Sequence, residues 1–232
     1  MLLALDTSTR LAGIALYDGQ RGLVAEHTWH SANRHTVELV PAIDRLMQQS
    51  GVEPNGLHAI AVAIGPGSFT GLRVALAAAK GLSFAYSLPL LGIPTLDAVA
   101  YPHLRQSLPV VAVVQAGRGR VCWARYDAGE ASQVDPATYG LATIAELSTQ
   151  IAGCCLIAGE LYAADRAALH QLLGQKATLL SPALSLPRPG YLAEIGWRRF
   201  ERGGRDDVAT LSPIYLHDPI QPAAAATADR GQ

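Results

Sequence analysis

Two apolar runs, each turned back on itself through a short polar turn, constrain this chain more than any other feature. The first is Leu2–Leu5, the turn Asp6-Thr7-Ser8-Thr9, and Leu11–Tyr17. The second is Val110–Val114, the turn Gly117-Arg118-Gly119, and Val121–Tyr126. A hairpin cannot bury its apolar face alone, so each needs further strands or helices packed on it. After each hairpin the pattern changes to helical periods alternating with short strands. The chain therefore predicts two α/β halves, each opened by a hairpin, with the second half written more faintly. The stretch Ser107–Pro109 marks the boundary, giving expected units of 1–105 and 106–220 and a flexible tail over 221–232.

Within the first half, Asp18-Gly19 signals a tight turn and Gly22–Thr28 a third strand. A helix capped by Ser31 or Asn33 follows: Val37, Val40, Ile43 and Leu46 recur at helical spacing until Gly51 ends it. Pro41 lies inside that pattern and either starts or bends the helix. Ala59–Ile64 reads as a buried strand, Leu72–Tyr86 as a helix, Leu90–Ile93 as a strand and Thr95–Tyr101 as a short helix. The Leu72–Tyr86 helix is apolar nearly all round, with only Arg73 and Lys80 charged, so most of its faces must be covered by core or by a partner. In the second half, Ile144–Ile151, Ala163–Leu173 and Leu192–Arg202 read as helices and Cys155–Ala158 as a strand.

Composition narrows the function classes. Half of the 232 residues are hydrophobic and 16% are charged, which suffices for a large core. Lysine and arginine total 18 against 19 acidic residues. That balance lacks the basic excess with which a protein grips nucleic acid alone. Asp6 interrupts what would have to be a signal core, and no mid-chain apolar run is long enough to span a bilayer. Cys122, Cys154 and Cys155 are odd in number and lack metal spacing; the adjacent Cys154 and Cys155 read as buried thiols, and a reduced, cytoplasmic protein is expected.

Two segments carry candidate chemistry. Asp6, Thr7 and Ser8 offer a carboxylate, hydroxyls and N–H groups to a ligand, and the same residue types also make ordinary capped turns. Gly65, Gly67, Ser68 and Thr70 belong to a Gly65-Pro66-Gly67-Ser68-Phe69-Thr70-Gly71 loop between a strand and a helix. Glycines there admit either a ligand or another backbone, and a helix N-terminus favours an anion. The loop is neither a phosphate-binding Walker loop nor a dinucleotide fingerprint. The seven histidines include only His27-x-x-His30 near metal spacing, and on a strand these two point to opposite faces. No nucleophile elbow is present.

Taken together, Asp6-Thr7-Ser8-Thr9 and Gly65-Pro66-Gly67-Ser68-Phe69-Thr70-Gly71-Leu72-Arg73 with Lys80-Gly81-Leu82 resemble the bacterial TsaB (YeaZ) family. The resemblance continues in His35-Thr36, Leu39-x-Pro41-x-Ile43, Ile93-x-Thr95-Leu96-x-Ala98, Val121-x-Trp123-Ala124-x-Tyr126 and Pro213-x-Tyr215-Leu216. It is dense over residues 1–100 and faint beyond 126. It implies the actin, hexokinase and Hsp70-like ATPase (ASKHA) fold, with two related α/β lobes, the second degenerate. It also implies a subunit in N6-threonylcarbamoyladenosine (t6A) synthesis, which binds and activates the catalytic paralogue TsaD for threonylcarbamoyl transfer to the tRNA adenosine next to the anticodon. The ATPase TsaE completes the assembly. The resemblance further implies a homodimer when the chain is alone, and tRNA met only through the complex.

No catalytic residue and no metal site is carried over by the resemblance. TsaD-like chains place a His-x-x-x-His pair where this chain has Thr95 and Val99, neither a useful ligand. The family's usual Asp-Ala-Arg is Gln115-Ala116-Gly117, and the superfamily's adenosine turn is reduced to Ala158-Gly159-Glu160. These departures leave ATP or ADP a place only at an interface with partners. The interface is expected on the outer faces of the two N-terminal helices, at Val37, Val40, Leu72, Ala75, Ala78 and Ala79. The alternative class is an enzyme in its own right, an M22-like metallopeptidase or a small-molecule kinase of the same superfamily.

Overall fold

A computed structural model describes residues 1–31, 34–129, 134–185 and 187–216. The expected tail at 221–232 and the candidate cap Asn33 lie outside the described residues. Two five-stranded mixed sheets form the frame. The first contains β1 (Leu2–Asp6), β2 (Leu11–Asp18), β3 (Gly22–His30), β4 (Ala59–Gly65) and β5 (Leu90–Pro94), in the order β3-β2-β1-β4-β5. The second contains β6 (Val110–Gly117), β7 (Arg120–Tyr126), β8 (Gly140–Thr143), β9 (Cys155–Gly159) and β10 (Ala177–Leu179), in the order β8-β7-β6-β9-β10. The two orders are the same when read from each hairpin outward. In each, three antiparallel strands continue into two parallel ones. This is the duplicated α/β architecture implied by the ASKHA resemblance. The second copy is degenerate in length, not in order: β8 has four residues against nine in β3, and β10 three against five in β5.

The central strands are buried on both faces, and their alternation shows it. Leu3 and Leu5 of β1 face one core, with Ile60 and Val62 of β4. Leu2, Ala4, Ala59, Ala61 and Ala63 face another. The first core is covered by α1 (His35–Gln49) and α2 (Phe69–Tyr86). Pro41 sits inside a continuous α1. Its missing N–H leaves Val37 O, on a residue at the exposed side of the helix, free to bond water.

The last helix of each half packs on the sheet of the other. α3 (Thr95–Ala100) follows the first sheet yet places Leu96, Val99 and Ala100 in the core of the second. α6 (Pro189–Glu201) follows the second sheet yet places Leu192 and Ala193 against the alanine-rich face of the first. Gly196 allows that approach, since a Cβ there would lie 2.6 Å from the Ala61 Cβ. The expected 106–220 unit thus contains a helix that belongs to the first sheet's core. The remaining helices, α4 (Ile144–Gln150) and α5 (Ala163–Leu173), cover the outer face of the second sheet. Of the pair expected to be buried, Cys155 is, whereas Cys154 is exposed, because it precedes β9 in a bend; Cys122 is buried too. No helix among the described residues is long and apolar enough to cross a membrane.

A buried carboxylate anchors α3 in the second half. Asp97 Oδ1 accepts hydrogen bonds from Tyr126 at 2.6 Å and Tyr139 at 3.3 Å, while Oδ2 has no partner among the described residues. Burial pushes the Asp97 carboxyl up to about 6, against the hydrogen bonds from the two tyrosines. A raised carboxyl pKa means that folding favours the protonated form. Its stabilising contribution is complete below the unfolded value of 3.8 and is lost as pH rises through about 6. Asp97→Asn keeps an acceptor for the tyrosines and removes the charge. We expect it to be at least as stable as the wild type near pH 7, and to lose up to about 3 kcal/mol of pH-dependent stability between those two pKa values. Denaturant unfolding across that pH range checks this; an unchanged pH profile would contradict it.

Candidate functional site

The two segments singled out in the sequence are pressed together, backbone against backbone. Asp6 Oδ1 accepts from the Ser8 N–H at 2.8 Å and the Ser8 hydroxyl at 2.6 Å, closing the turn after β1. The Ser68 N–H then donates to Ser8 O at 2.7 Å, and the Thr7 hydroxyl to Gly71 O at 2.6 Å. Ser68 also caps α2, its hydroxyl accepting from the Gly71 N–H. Only glycine fits the contact. A Cβ on Gly67 would lie 2.3 Å from Ser8 O, and one on Gly71 would lie 1.9 Å from Thr7 O. Of the two openings that the glycines offered, ligand or backbone, Gly67 and Gly71 admit a backbone. Asp6 is buried at the centre, and burial raises its carboxyl pKa against the Ser8 hydrogen bonds.

A cleft of about 430 Å³ opens beside this contact, between the two halves. Ser8, Gly67 and Ser68 line it; Asp6, Thr7 and Gly65 lie behind its wall, and Thr70 faces the other side of α2. The opposite wall is the β6–β7 turn with Gln115, Arg118 and Arg120, and Glu160 just after β9. Residues Ile214–Leu216 close one end: the Ile214 N–H donates to Ile64 O at 2.7 Å, and Tyr215 accepts from Arg73 Nε at 3.0 Å. The Gln115 side-chain amide donates to Asp165 at 2.8 Å. Burial raises the Glu160 carboxyl, lowers His35 and pushes Cys122 up to about 11, which leaves that thiol unreactive.

Sequence reasoning missed Arg10, Arg118 and Arg120 as cleft residues and met Glu160 only in the reduced Ala158-Gly159-Glu160 turn. They stand at turns or strand ends, where charged residues are ordinary, and only the packing of the two halves turns them toward each other. On α3, Thr95 and Val99 are both buried, and the Thr95 hydroxyl has no partner among the described residues. Among the described residues no group of three His, Cys, Asp or Glu side chains is placed to hold a metal. His27 instead stacks on Trp29 at 5.1 Å, and His103 bonds Leu184 O.

A second concavity, about 480 Å³, runs between α1 and α2 on the outside of the first half. Its lining is almost wholly apolar: Leu39, Val40, Phe69, Val74, Ala77 and Ala78, with Thr36, Thr70 and Arg73 at the margin. Val40 in this lining is 61% exposed, and Val37 of α1 and Phe84 of α2 are 60% and 87% exposed. The six expected interface positions divide. Val37 and Val40 stand out to solvent and Ala78 lines the groove. Leu72, Ala75 and Ala79 are fully buried and correct that expectation: they form the inner stripe of α2 on the first sheet. The outward small residues of α2 include Ala77, Gly81 and Ala85.

Comparison with known proteins follows the same lines. The family model described as TsaD, tRNA N6-adenosine threonylcarbamoyltransferase, matches residues 20–190. The tRNA threonylcarbamoyladenosine biosynthesis protein TsaB of Escherichia coli is 34% identical over 131 residues, 56% of this chain and 56% of that protein. The match thus spans little more than half of that relative's length. TsaB of Bacillus subtilis is 29% identical over 218 residues, 93% of each chain. The solved structure of YeaZ from Pseudomonas aeruginosa superposes with a TM-score of 0.75 at 26% identity, covering 93% of this chain and 99% of that one.

The glycine contact makes a direct prediction. Gly71→Ala must force its Cβ into the Thr7 carbonyl, with backbone on both sides that cannot yield. We expect a loss of about 3 kcal/mol or failure to fold. Gly81→Ala, with nothing within 4 Å of the added Cβ, should gain up to about 1 kcal/mol from helix propensity. Thermal and denaturant unfolding of the two variants checks both, and a Gly71→Ala protein as stable as the wild type would refute the packing.

Proposed function

Because the chain belongs to the TsaB (YeaZ) branch of the TsaD family, we propose that it is a non-catalytic subunit in the synthesis of t6A in tRNA. It docks on a TsaD-type catalytic subunit through the face formed by α1 and α2, and enables that subunit's threonylcarbamoyl transfer to the adenosine beside the anticodon. A TsaE-type ATPase completes the assembly. One observation carries the docking part of this reading: Val40 stands exposed in an apolar groove between α1 and α2, and Val37 and Phe84 of the same two helices are exposed as well. Apolar patches of this kind, rimmed by polar residues, are characteristic of interaction surfaces. The small residues Ala77 and Gly81 let a partner helix approach closely. In the absence of the catalytic subunit, a second copy of the chain covers the same face.

The net charge of −1 supports a role in which tRNA is reached through the complex and not gripped by this chain alone. ATP or ADP enters this reading only at an interface with partners, and the cytoplasm is its setting. The alternative enzyme classes draw less support. A metallopeptidase needs a ligand cluster, and Thr95 and Val99 offer none. A kinase of this superfamily needs an acid where Gln115 is tied to Asp165.

Val40→Glu tests the docking face. Val40 contributes little to the core, so the variant should unfold as the wild type does, while affinity for the purified TsaD-type subunit falls by at least about tenfold. Leu172→Glu, at an exposed position on α5, should leave affinity unchanged. Sedimentation or surface plasmon resonance reads both. Normal binding by a folded Val40→Glu protein would remove this face from the interface.

A further inference from the structure

Residues 213–216 return from α6 to the start of α2, and there they hold one arginine in place. The Ile214 N–H donates to Ile64 O at 2.7 Å, which fastens the segment to the end of β4. Tyr215 then lies 5.2 Å from the Phe69 ring. The Arg73 guanidinium stacks 3.7 Å over Phe69, and its Nε donates to the Tyr215 hydroxyl at 3.0 Å. Among the described residues its two terminal nitrogens donate to no acceptor, and no carboxylate pairs with it. An exposed arginine ordinarily keeps its rotamer freedom. This one is exposed and fixed, yet gains no ion pair from being fixed. A carboxylate that meets its free edge therefore binds a side chain that needs no further ordering.

Arg73 stands at the margin of the apolar groove between α1 and α2. The charges on those two helices are unevenly placed. α2 carries Arg73 and Lys80 and no acid. On α1 the acids are Glu38 and Asp44. Glu38 accepts from Trp29 Nε1 at 3.0 Å and lies 3.9 Å from Arg34 Nε, so it is engaged within its own chain. Asp44 accepts from Gln48 at 2.8 Å. A second copy would thus bring to Arg73 another acid-free α2 and a single exposed acid, Asp44. The margin of the groove calls for a negative charge that this face of the chain is poor in.

We propose that Arg73 is the specificity-determining contact of the docking face: its two terminal nitrogens clamp a carboxylate on a helix of the TsaD-type subunit. Tyr215 is the positioning residue that aims it. The inference rests on the docking reading and adds the chemistry of the partner surface, an apolar helix face edged by one acidic residue. A paired guanidinium and carboxylate at the edge of an apolar patch lose water together on docking, so they discriminate among partners more than they add affinity. The clamp favours the catalytic subunit over a second copy at the same face.

Titration of the purified TsaD-type subunit into the full chain, read by calorimetry, tests this beside sedimentation of the chain alone. Arg73→Gln should weaken binding to the TsaD-type subunit at least about tenfold, and Arg73→Lys nearly as much, since an ammonium cannot make two parallel bonds. Self-association should change less than about twofold in both. Tyr215→Phe should weaken partner binding about threefold in the wild-type background and not at all in the Arg73→Gln background. A tyrosine that only supported the fold would weaken both alike. Exposed acids on the helices of the TsaD-type subunit, reversed to arginine one at a time, should include one whose reversal restores binding to Arg73→Glu. Arg73 is exposed, so its variants should melt as the wild type does. Unchanged affinity in Arg73→Gln, an equal loss of self-association, or no restoring acid would each overturn the proposal. So would retention of a tRNA transcript by the free chain that depends on Arg73, which would make the anion a phosphate. If Val40→Glu abolishes docking and Arg73→Gln does not, the docking face stands and the clamp falls. If the wild-type chain does not bind the TsaD-type subunit, both fall.

Discussion

The arrangement of the first half depends on one close contact, in which the carbonyl groups of Thr7 and Ser8 lie where the side chains of residues 71 and 67 would otherwise be. Two loops can share hydrogen bonds at that range only if one of them has no Cβ. The contact fixes the start of α2 relative to β1, and the capped helix then runs in one direction over the first sheet. Both concavities follow from it. The cleft opens on one side of the α2 N-terminus, and the apolar groove lies along the other side with α1. Phe69 borders both, with the Arg73 guanidinium 3.7 Å from its ring and Tyr215 5.2 Å away. The Ile214–Leu216 segment is thereby tied to the same corner.

The exchange of terminal helices accounts for how two small sheets make one stable molecule. A five-stranded sheet with helices on one face leaves the other face uncovered. Here α6 covers the first sheet and α3 the second, so neither half completes its core without the other. The Asp97 carboxylate lies on that exchanged helix, bonded to tyrosines of the second half. It is a buried polar group whose partners all come from across the boundary, which favours one docking of α3 over sliding alternatives.

What could be read in the sequence was the part written in strong local pattern. The two hairpins, the buried strand β4, and the loop between β4 and α2 were legible because apolar runs and turn chemistry agree there. β8 and β10 were not, since four and three residues give too little alternation to register. The side to which α6 packs was illegible in principle: an amphipathic helix shows that it has an apolar face, not which sheet covers it. The inner and outer stripes of α2 were confused for a related reason. Alanine at 75 and 79 faces the core and alanine at 77 faces solvent, and residues of one type carry no pattern to separate them. The cleft arginines needed the two halves to be brought together first.

The central claim is that this chain enables catalysis carried out by another subunit. Formation of t6A on tRNA, in a mixture reconstituted from the organism's own components, measures it most directly. The account predicts that t6A appears only when both this chain and the TsaD-type subunit are present, and that this chain without that subunit makes none. Modification that proceeds equally well without this chain, or that this chain performs when the TsaD-type subunit is left out, would contradict it.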